Sequence, residues 1–284
     1  MSADCHDCGS QRSIKHLATK GSPLIALAGQ PNVGKSTVFN MLTGLNQHVG
    51  NWPGKTVERK EGQFKLDGRD YRLVDLPGTY SLTANSPEEL ITRDFILSEK
   101  PDLVVALVNA ANLERSLYLV AELVTLPAPL IVVLNMMDVA GQQGLTIEAN
   151  VLEAALGVPV VPVTATQAAS TSSLLETIKI MVSTDIVQTP RLPEIRADHQ
   201  AILDQMMKMI DGFVPEKYPA SWVALKLLEG DKEITRQMQA GLPQNKWNEI
   251  HSLLKDHDDA MLAIASGRYE WIGRLTRAAV IHPR

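Results

Sequence analysis

Residues Gly29-Gln30-Pro31-Asn32-Val33-Gly34-Lys35-Ser36 spell G-x-x-x-x-G-K-S and follow the apolar run Leu24-Ile25-Ala26-Leu27-Ala28. Few patterns constrain a fold so tightly. The glycines let backbone N–H groups curl around a polyphosphate, the lysine reaches the outer phosphates, and the hydroxyl ligates Mg²⁺. The motif needs a buried strand before it and a helix after it. Both are present, since Val38, Phe39, Met41 and Leu42 continue with a helical apolar spacing. A helix beginning near Gly34 aims its positive end at the anion. Contacts to a nucleoside triphosphate are therefore expected along Gly29, Asn32, Val33, Gly34, Lys35, Ser36 and Thr37. The loop alone names neither the base nor the use of the energy.

The base is read further along. Leu130-Ile131-Val132-Val133-Leu134 reads as another buried strand, and it runs into Asn135-Met136-Met137-Asp138. A carboxylate after a strand suits guanine, because it accepts from the ring N–H and the exocyclic amine. Asn135 would brace the loop and touch the base edge, with Met136 beside it. Between the two motifs, Tyr71-Arg72-Leu73-Val74 ends in Asp75-Leu76-Pro77-Gly78, a D-x-x-G. Asp75 can hold the Mg²⁺ shell, and the Gly78 N–H can meet the γ-phosphate. Thr56 supplies the hydroxyl for closing a mobile loop over Mg²⁺ and the γ-phosphate. After a strand at Val160-Val161-Pro162-Val163, residues Thr164 and Ala165 offer a backbone N–H to the guanine carbonyl. Their departure from the commoner Ser-Ala-Lys leaves some tolerance of ATP open.

At this point a family resemblance emerges. The phosphate loop through Thr37, the segment Val49-Gly50-Asn51-Trp52-Pro53-Gly54-Lys55-Thr56-Val57-Glu58, and Asp75-Leu76-Pro77-Gly78-Thr79-Tyr80-Ser81-Leu82 resemble FeoB, as does Asn112-Leu113-Glu114-Arg115-Ser116-Leu117-Tyr118-Leu119. Generic small GTPases lack the Val-Gly-Asn-Trp-Pro-Gly stretch. The resemblance covers roughly residues 22–182 well and the remainder loosely. It implies an N-terminal cytosolic G-protein domain of a bacterial ferrous iron transporter, with a membrane pore following and the domain on the cytoplasmic face of the inner membrane. It also implies a small helical domain proposed to restrain GDP release. The fold class expected is α/β: a Ras-like P-loop GTPase with a mostly parallel sheet, then an all-helical domain. Its partners would be the guanine nucleotide and the chain's own pore, with self-association into a homo-oligomer left open.

The chain's organisation agrees. Strand candidates lie near 24–28, 71–75, 103–108, 130–134 and 159–163, with a hairpin at Asp67-Gly68 whose antiparallel pair should sit at one sheet edge. Ser86-Pro87-Glu88-Glu89 reads as a helix start running to about Ser98. Nucleotide then sits at the C-terminal ends of the strands. We divide the chain into a flexible tail 1–21, a GTPase domain 22–182, a linker 183–193 and a helical domain 194–284 without strands. In the last, Ile202, Met206, Met209 and Ile210 share one face, while Trp222, Leu225, Leu228 and Ile250, Leu253, Leu254 mark two more helices. A net charge of −5 argues against a dedicated nucleic-acid binder. No apolar run approaches the about 20 residues of a membrane span, and Met1–Gly21 lack a signal-peptide core. The two cysteines, Cys5 and Cys8, flank His6; they could form half a metal site, or lie in an unstructured terminus.

The mechanism departs from Ras-like enzymes in one respect. Those place a Gln just after D-x-x-G to orient water; this chain has Thr79, followed by Tyr80. Intrinsic hydrolysis is then expected to be slow without another aid. The resemblance implies that aid: Asn32 ligates a potassium ion bridging the phosphates, and backbone carbonyls of Gly50 and Trp52 complete its shell. A cation there supplies the charge that an arginine finger supplies elsewhere. The alternative role of Asn32 is that of a turn former in the loop. Two functional classes follow. One is a slow GTPase gating ferrous iron passage; the other is a nucleotide-sensing binding module with incidental turnover. A ribosome- or tRNA-associated GTPase of the Era type is disfavoured by the acidic balance and by the Val49–Glu58 segment.

Overall fold

Alternation along the central strands sets the layers. In the computed structural model, which describes residues 14–16, 21–44, 47–83, 85–164 and 168–281, seven strands form one sheet in the order β3-β4-β5-β2-β6-β7-β9. Their ranges are β2 Leu24–Gly29, β3 Gln47–Asn51, β4 Glu58–Leu66, β5 Arg69–Asp75, β6 Leu103–Asn109, β7 Leu130–Asn135 and β9 Val160–Pro162. A strand β1 (Ile14–His16) precedes them. Strands β5, β2, β6, β7 and β9 run parallel, and β4 and β3 are added antiparallel.

Successive strand side chains point to opposite faces. Ile25, Leu27, Val105, Leu107, Ile131 and Val133 therefore pack on α1 (Lys35–Thr43) and α6 (Ala168–Ser183). Ala26, Ala28, Val104, Ala106, Val132 and Leu134 face the other layer: α2 (Pro87–Glu99), α3 (Leu113–Leu123) and α5 (Ala149–Leu156). Small alanines on this second face let its helices approach closely. A short α4 (Met137–Gln142) and strand β8 (Thr146–Ile147) lie between β7 and α5. The start of α2 is as read: Pro87 occupies the first turn, and the Ser86 Oγ accepts from the Glu89 N–H at 3.2 Å.

The helical domain comprises α7 (Ala197–Ile210), α8 (Ala220–Leu228), α9 (Lys232–Gly241), α10 (Gln244–Asp256) and α11 (Ala260–Ala279). Its buried residues, among them Ile202, Met206, Trp222 and Ile250, join the same apolar cluster as the α2/α3/α5 layer. The two domains thus share a core.

The structure corrects four expectations. The hairpin pair is not the sheet edge; β3 lies outside β4, and its five residues are all exposed, so no alternating pattern marked it. The segment 183–193 is not a bare linker. It holds strand β10 (Ile186–Gln188), and the buried Gln188 side chain clasps Leu130, accepting from its N–H at 2.9 Å and donating to its carbonyl at 2.8 Å. The tail 1–21 is not without structure, since β1 pairs antiparallel with β10. Strands are also not absent from the helical domain. β11 (Val280–Ile281) pairs with β8 of the first domain, because a two-residue edge strand becomes available only once the domains are packed together. Cys5, His6 and Cys8 lie outside the described residues.

Candidate nucleotide site

All three motifs converge at the C-terminal ends of parallel strands. Gly29 ends β2, Asp75 ends β5 and Asn135 ends β7. The loop between β2 and α1 is shaped by backbone that other residues resist. Asn32 has φ +62° and Gly34 φ +90°, both left-handed. A Cβ on Gly34 would lie 2.2 Å from Asn135 Nδ2, and one on Gly29 would lie 2.9 Å from the Leu107 carbonyl oxygen. Asn135 Nδ2 donates to the Val33 carbonyl at 2.9 Å, a buried bond tying the phosphate loop to the end of β7.

The D-x-x-G segment runs beside this loop. Leu76 N–H donates to the Leu27 carbonyl at 2.9 Å, and Thr79 N–H donates to the Gly29 carbonyl at 3.2 Å. Gly78 sits against Pro31, where a Cβ would come within 3.1 Å of its backbone. The Lys35 ammonium lies 3.6 Å from Asp75 Oδ1, and that oxygen is buried without a hydrogen bond. Burial pushes the Asp75 carboxyl above the usual carboxylate range, while Lys35 and Lys60 pull it the other way. A buried carboxylate oxygen with spare acceptor capacity beside a lysine suits a hard cation coordinated through oxygen.

Most other members of the expected set are exposed. Ser36 and Thr37 are exposed in the first turn of α1. Thr56 is exposed in the turn 53–57. Gly50 pairs with Arg59 in β3–β4. Trp52 is buried edge-on to Phe95 beneath the Arg59 guanidinium, and its carbonyl accepts from Lys55 N–H at 2.9 Å. That carbonyl thus uses one of its two lone pairs within its own turn. Met136, at φ +61°, leads into α4, whose first turn presents Asp138 to solvent. Thr164 is half-buried after Val163, and Ala165 lies outside the described residues.

Residues 24–178 match the family described as "Ferrous iron transport protein B", and residues 197–281 match "FeoB cytosolic helical domain". The chain belongs to the FeoB family. It is 41% identical over 259 residues to the Fe(2+) transporter FeoB of Shigella flexneri, covering 88% of this chain and 32% of that one. It is 42% identical over 261 residues to the FeoB of Methanocaldococcus jannaschii, covering 89% and 38%. The chain thus spans about a third of the length of these relatives. The crystal structure of the cytosolic domain of the T. maritima FeoB iron transporter in a GDP form superimposes with a TM-score of 0.81 at 30% identity, covering 93% of this chain and 100% of that one.

Within this FeoB framework, several contacts around the loop are not encoded in the motifs. Gln30, an unspecified position of the motif, is buried and donates through Nε2 to the Arg115 carbonyl at 2.6 Å. The Arg115 guanidinium lies 4.6 Å from the centroid of the exposed Tyr80 ring. Thr79 is buried and its Oγ1 has no hydrogen bond. Thr92 Oγ1 donates to the Pro77 carbonyl at 3.3 Å, fastening D-x-x-G to α2. A pattern search over loop motifs cannot find such partners, because they sit on helices far away in sequence. No helix among the described residues is long and apolar enough to cross a membrane.

Proposed function

We propose that residues 22–182 bind GTP and GDP and hydrolyse GTP slowly, and that this cycle, acting with the helical domain 194–284, regulates ferrous iron passage through a membrane domain of the longer protein at the cytoplasmic face. The observation that carries the reading is the meeting of Lys35, the unsatisfied Asp75 Oδ1 and Gly78 beside a phosphate loop braced by Asn135. The related T. maritima domain, solved in a GDP form, supports the choice of base.

In this reading the backbone N–H groups of 33–37 and the Lys35 ammonium receive the phosphates. Asp138 accepts from the guanine edge, and the loop at 164–165 donates to its carbonyl. Ser36, Asp75 and, after loop closure, Thr56 would hold Mg²⁺, which would supply positive charge against the phosphates. The Gly78 N–H meets the γ-phosphate. Thr79 lacks an amide to orient water, which supports slow turnover.

Potassium stimulation is the finer part of the proposal. Asn32 is exposed in a left-handed turn inside the loop and free to ligate. The Trp52 carbonyl accepts one bond from Lys55 N–H and keeps a second lone pair for a cation. Turnover in potassium salt above that in sodium salt supports the proposal; equal single-turnover rates would favour the alternative of a nucleotide-sensing module. The base assignment is tested by Asp138→Asn, which should weaken GTP and admit xanthosine nucleotides. Unchanged guanine affinity in that variant would overturn it.

A further inference from the structure

Glu122 is an acidic side chain on an otherwise apolar face of α3, with 1% of its side chain exposed. A carboxylate so placed needs partners. It finds them in the helical domain. Arg268 Nη1 of α11 lies 3.2 Å from Glu122 Oε1, and Lys226 Nζ of α8 lies 3.8 Å from Oε2. Both cations also contact Glu229, with Lys226 at 2.8 Å and Arg268 in direct contact. The four side chains form a closed ring of alternating charge, each no more than 6% exposed. Three corners belong to the helical domain and one to the nucleotide-binding domain. Burial would pull Lys226 down, but Glu122 and Glu229 outweigh it and hold Lys226 above its usual range.

The ring also reaches a backbone group. Glu122 Oε2 accepts from the backbone N–H of Leu82, a buried residue at the end of the stretch that begins at D-x-x-G. Between the two ends of that stretch, Gly78 rests on Pro31 and Thr79 N–H is bonded to the Gly29 carbonyl. We propose that Glu122 is a positioning residue that holds residues 78–82 against the phosphate loop, ready for a third phosphate, and that it does so because Lys226 and Arg268 of the helical domain neutralise it. This rests on the guanine-nucleotide reading above. The contacts assigned above to the diphosphate lie on residues 29–37, 135 and 138, and the Leu82 N–H is bonded to Glu122 rather than to any of these. Loss of the clamp therefore lowers affinity for the triphosphate and spares the diphosphate.

The test uses the full chain. Affinities for GDP and a non-hydrolysable GTP analogue are measured by fluorescence for the parent, Glu122→Gln and Glu122→Met. Gln keeps an oxygen for the Leu82 N–H, whereas Met keeps none. The expected order of triphosphate affinity is parent, then Gln, then Met, with Met weakened about tenfold, the scale of one hydrogen bond to a charged group. GDP affinity should stay within about twofold. The pair Glu122→Met with Lys226→Met restores charge balance, so melting temperature should recover while triphosphate preference does not. Equal loss of both nucleotides, or recovery of preference together with melting temperature, overturns the proposal, because either marks a merely structural role. Amide exchange at Leu82 gives a readout without nucleotide: it should be protected in the parent and faster in Glu122→Met, and equal exchange also overturns the clamp. A parent chain that binds neither nucleotide refutes the function reading itself, while the Leu82 exchange result still judges the clamp.

Discussion

Arg93 on α2 and Asp231 at the start of α9 form an ion pair of 2.9 Å across the boundary between the two domains, with side chains 1% and 0% exposed. The two oxygens of Asp231 have separate tasks. Oδ2 accepts from Arg93 Nη1, while Oδ1 accepts from the N–H groups of Glu233 and Ile234, each at 3.0 Å, and so caps α9. Asp231→Ala removes both interactions at once. Loss of the cap costs about 1 kcal/mol. Leaving a buried guanidinium unpaired costs about 3–5 kcal/mol. Some relief is at hand, since Arg93 Nε lies 3.5 Å from the half-exposed Asp94 carboxylate and the guanidinium 5.6 Å from the Trp222 ring. The lower end is therefore expected, about 4 kcal/mol in all. For a unit of this size, each kcal/mol moves the midpoint by about 2–4 °C, so thermal unfolding followed by circular dichroism should shift down by about 8–16 °C. Asp231→Asn keeps a cap oxygen and a neutral acceptor and should lose about half as much. Arg93→Met combined with Asp231→Ala removes the stranded charge, and the residual loss should fall to about 1–2 kcal/mol. A single-variant loss below about 1 kcal/mol, or a double variant showing the full sum of both singles, would refute the argument from buried charge.

Three further outcomes are expected. Gly34→Ala should abolish measurable nucleotide binding in equilibrium dialysis, because φ +90° disfavours any side chain and the new Cβ would displace the Asn135 amide from Val33; adding Asn135→Ala should recover part of the lost stability but no binding. Thr56→Ala should reduce GTP turnover while leaving GDP affinity unchanged, since Thr56 lies exposed in the turn 53–57, outside residues 29–37 to which the diphosphate is assigned; unaltered turnover would remove its assigned role. Lys226 titrates above its ordinary 10.5 in the folded chain, so its stabilisation is complete below that pH, where both states are protonated, and is lost as pH rises through the folded value. Denaturant unfolding should show an alkaline decline above that point that is shallower in Lys226→Met.

Much of the candidate site was legible because a phosphate-binding loop places its demands on consecutive residues. Gly34 must be glycine, and Lys35 and Ser36 must follow, whatever the rest of the chain does. The central parallel strands β2, β6 and β7 were legible too, since each is buried on both faces and reads as a continuous apolar run. Strand β3 was not, because its residues are all exposed and its pairing comes from β4 rather than from any pattern of its own. Trp52 shows the same limit: the sequence marks the segment, while the packing on Phe95 and the bond to Lys55 show where its ring and carbonyl go.

By itself, the sequence determined the layer architecture, the phosphate-loop motif, the Asn135–Asp138 tetrad proposed to read the base and the family resemblance, because each is encoded in local spacing. Only the tertiary structure decided how the helical domain meets the nucleotide site. Glu122, Lys226, Glu229 and Arg268 are spread over more than a hundred residues, and singly each reads as an ordinary surface charge. They become a buried ring only when α3, α8 and α11 are brought together, where the low dielectric makes each charge depend on the other three. The link from that ring to the backbone of Leu82 leaves no mark in the sequence, because any residue at that position carries the same N–H.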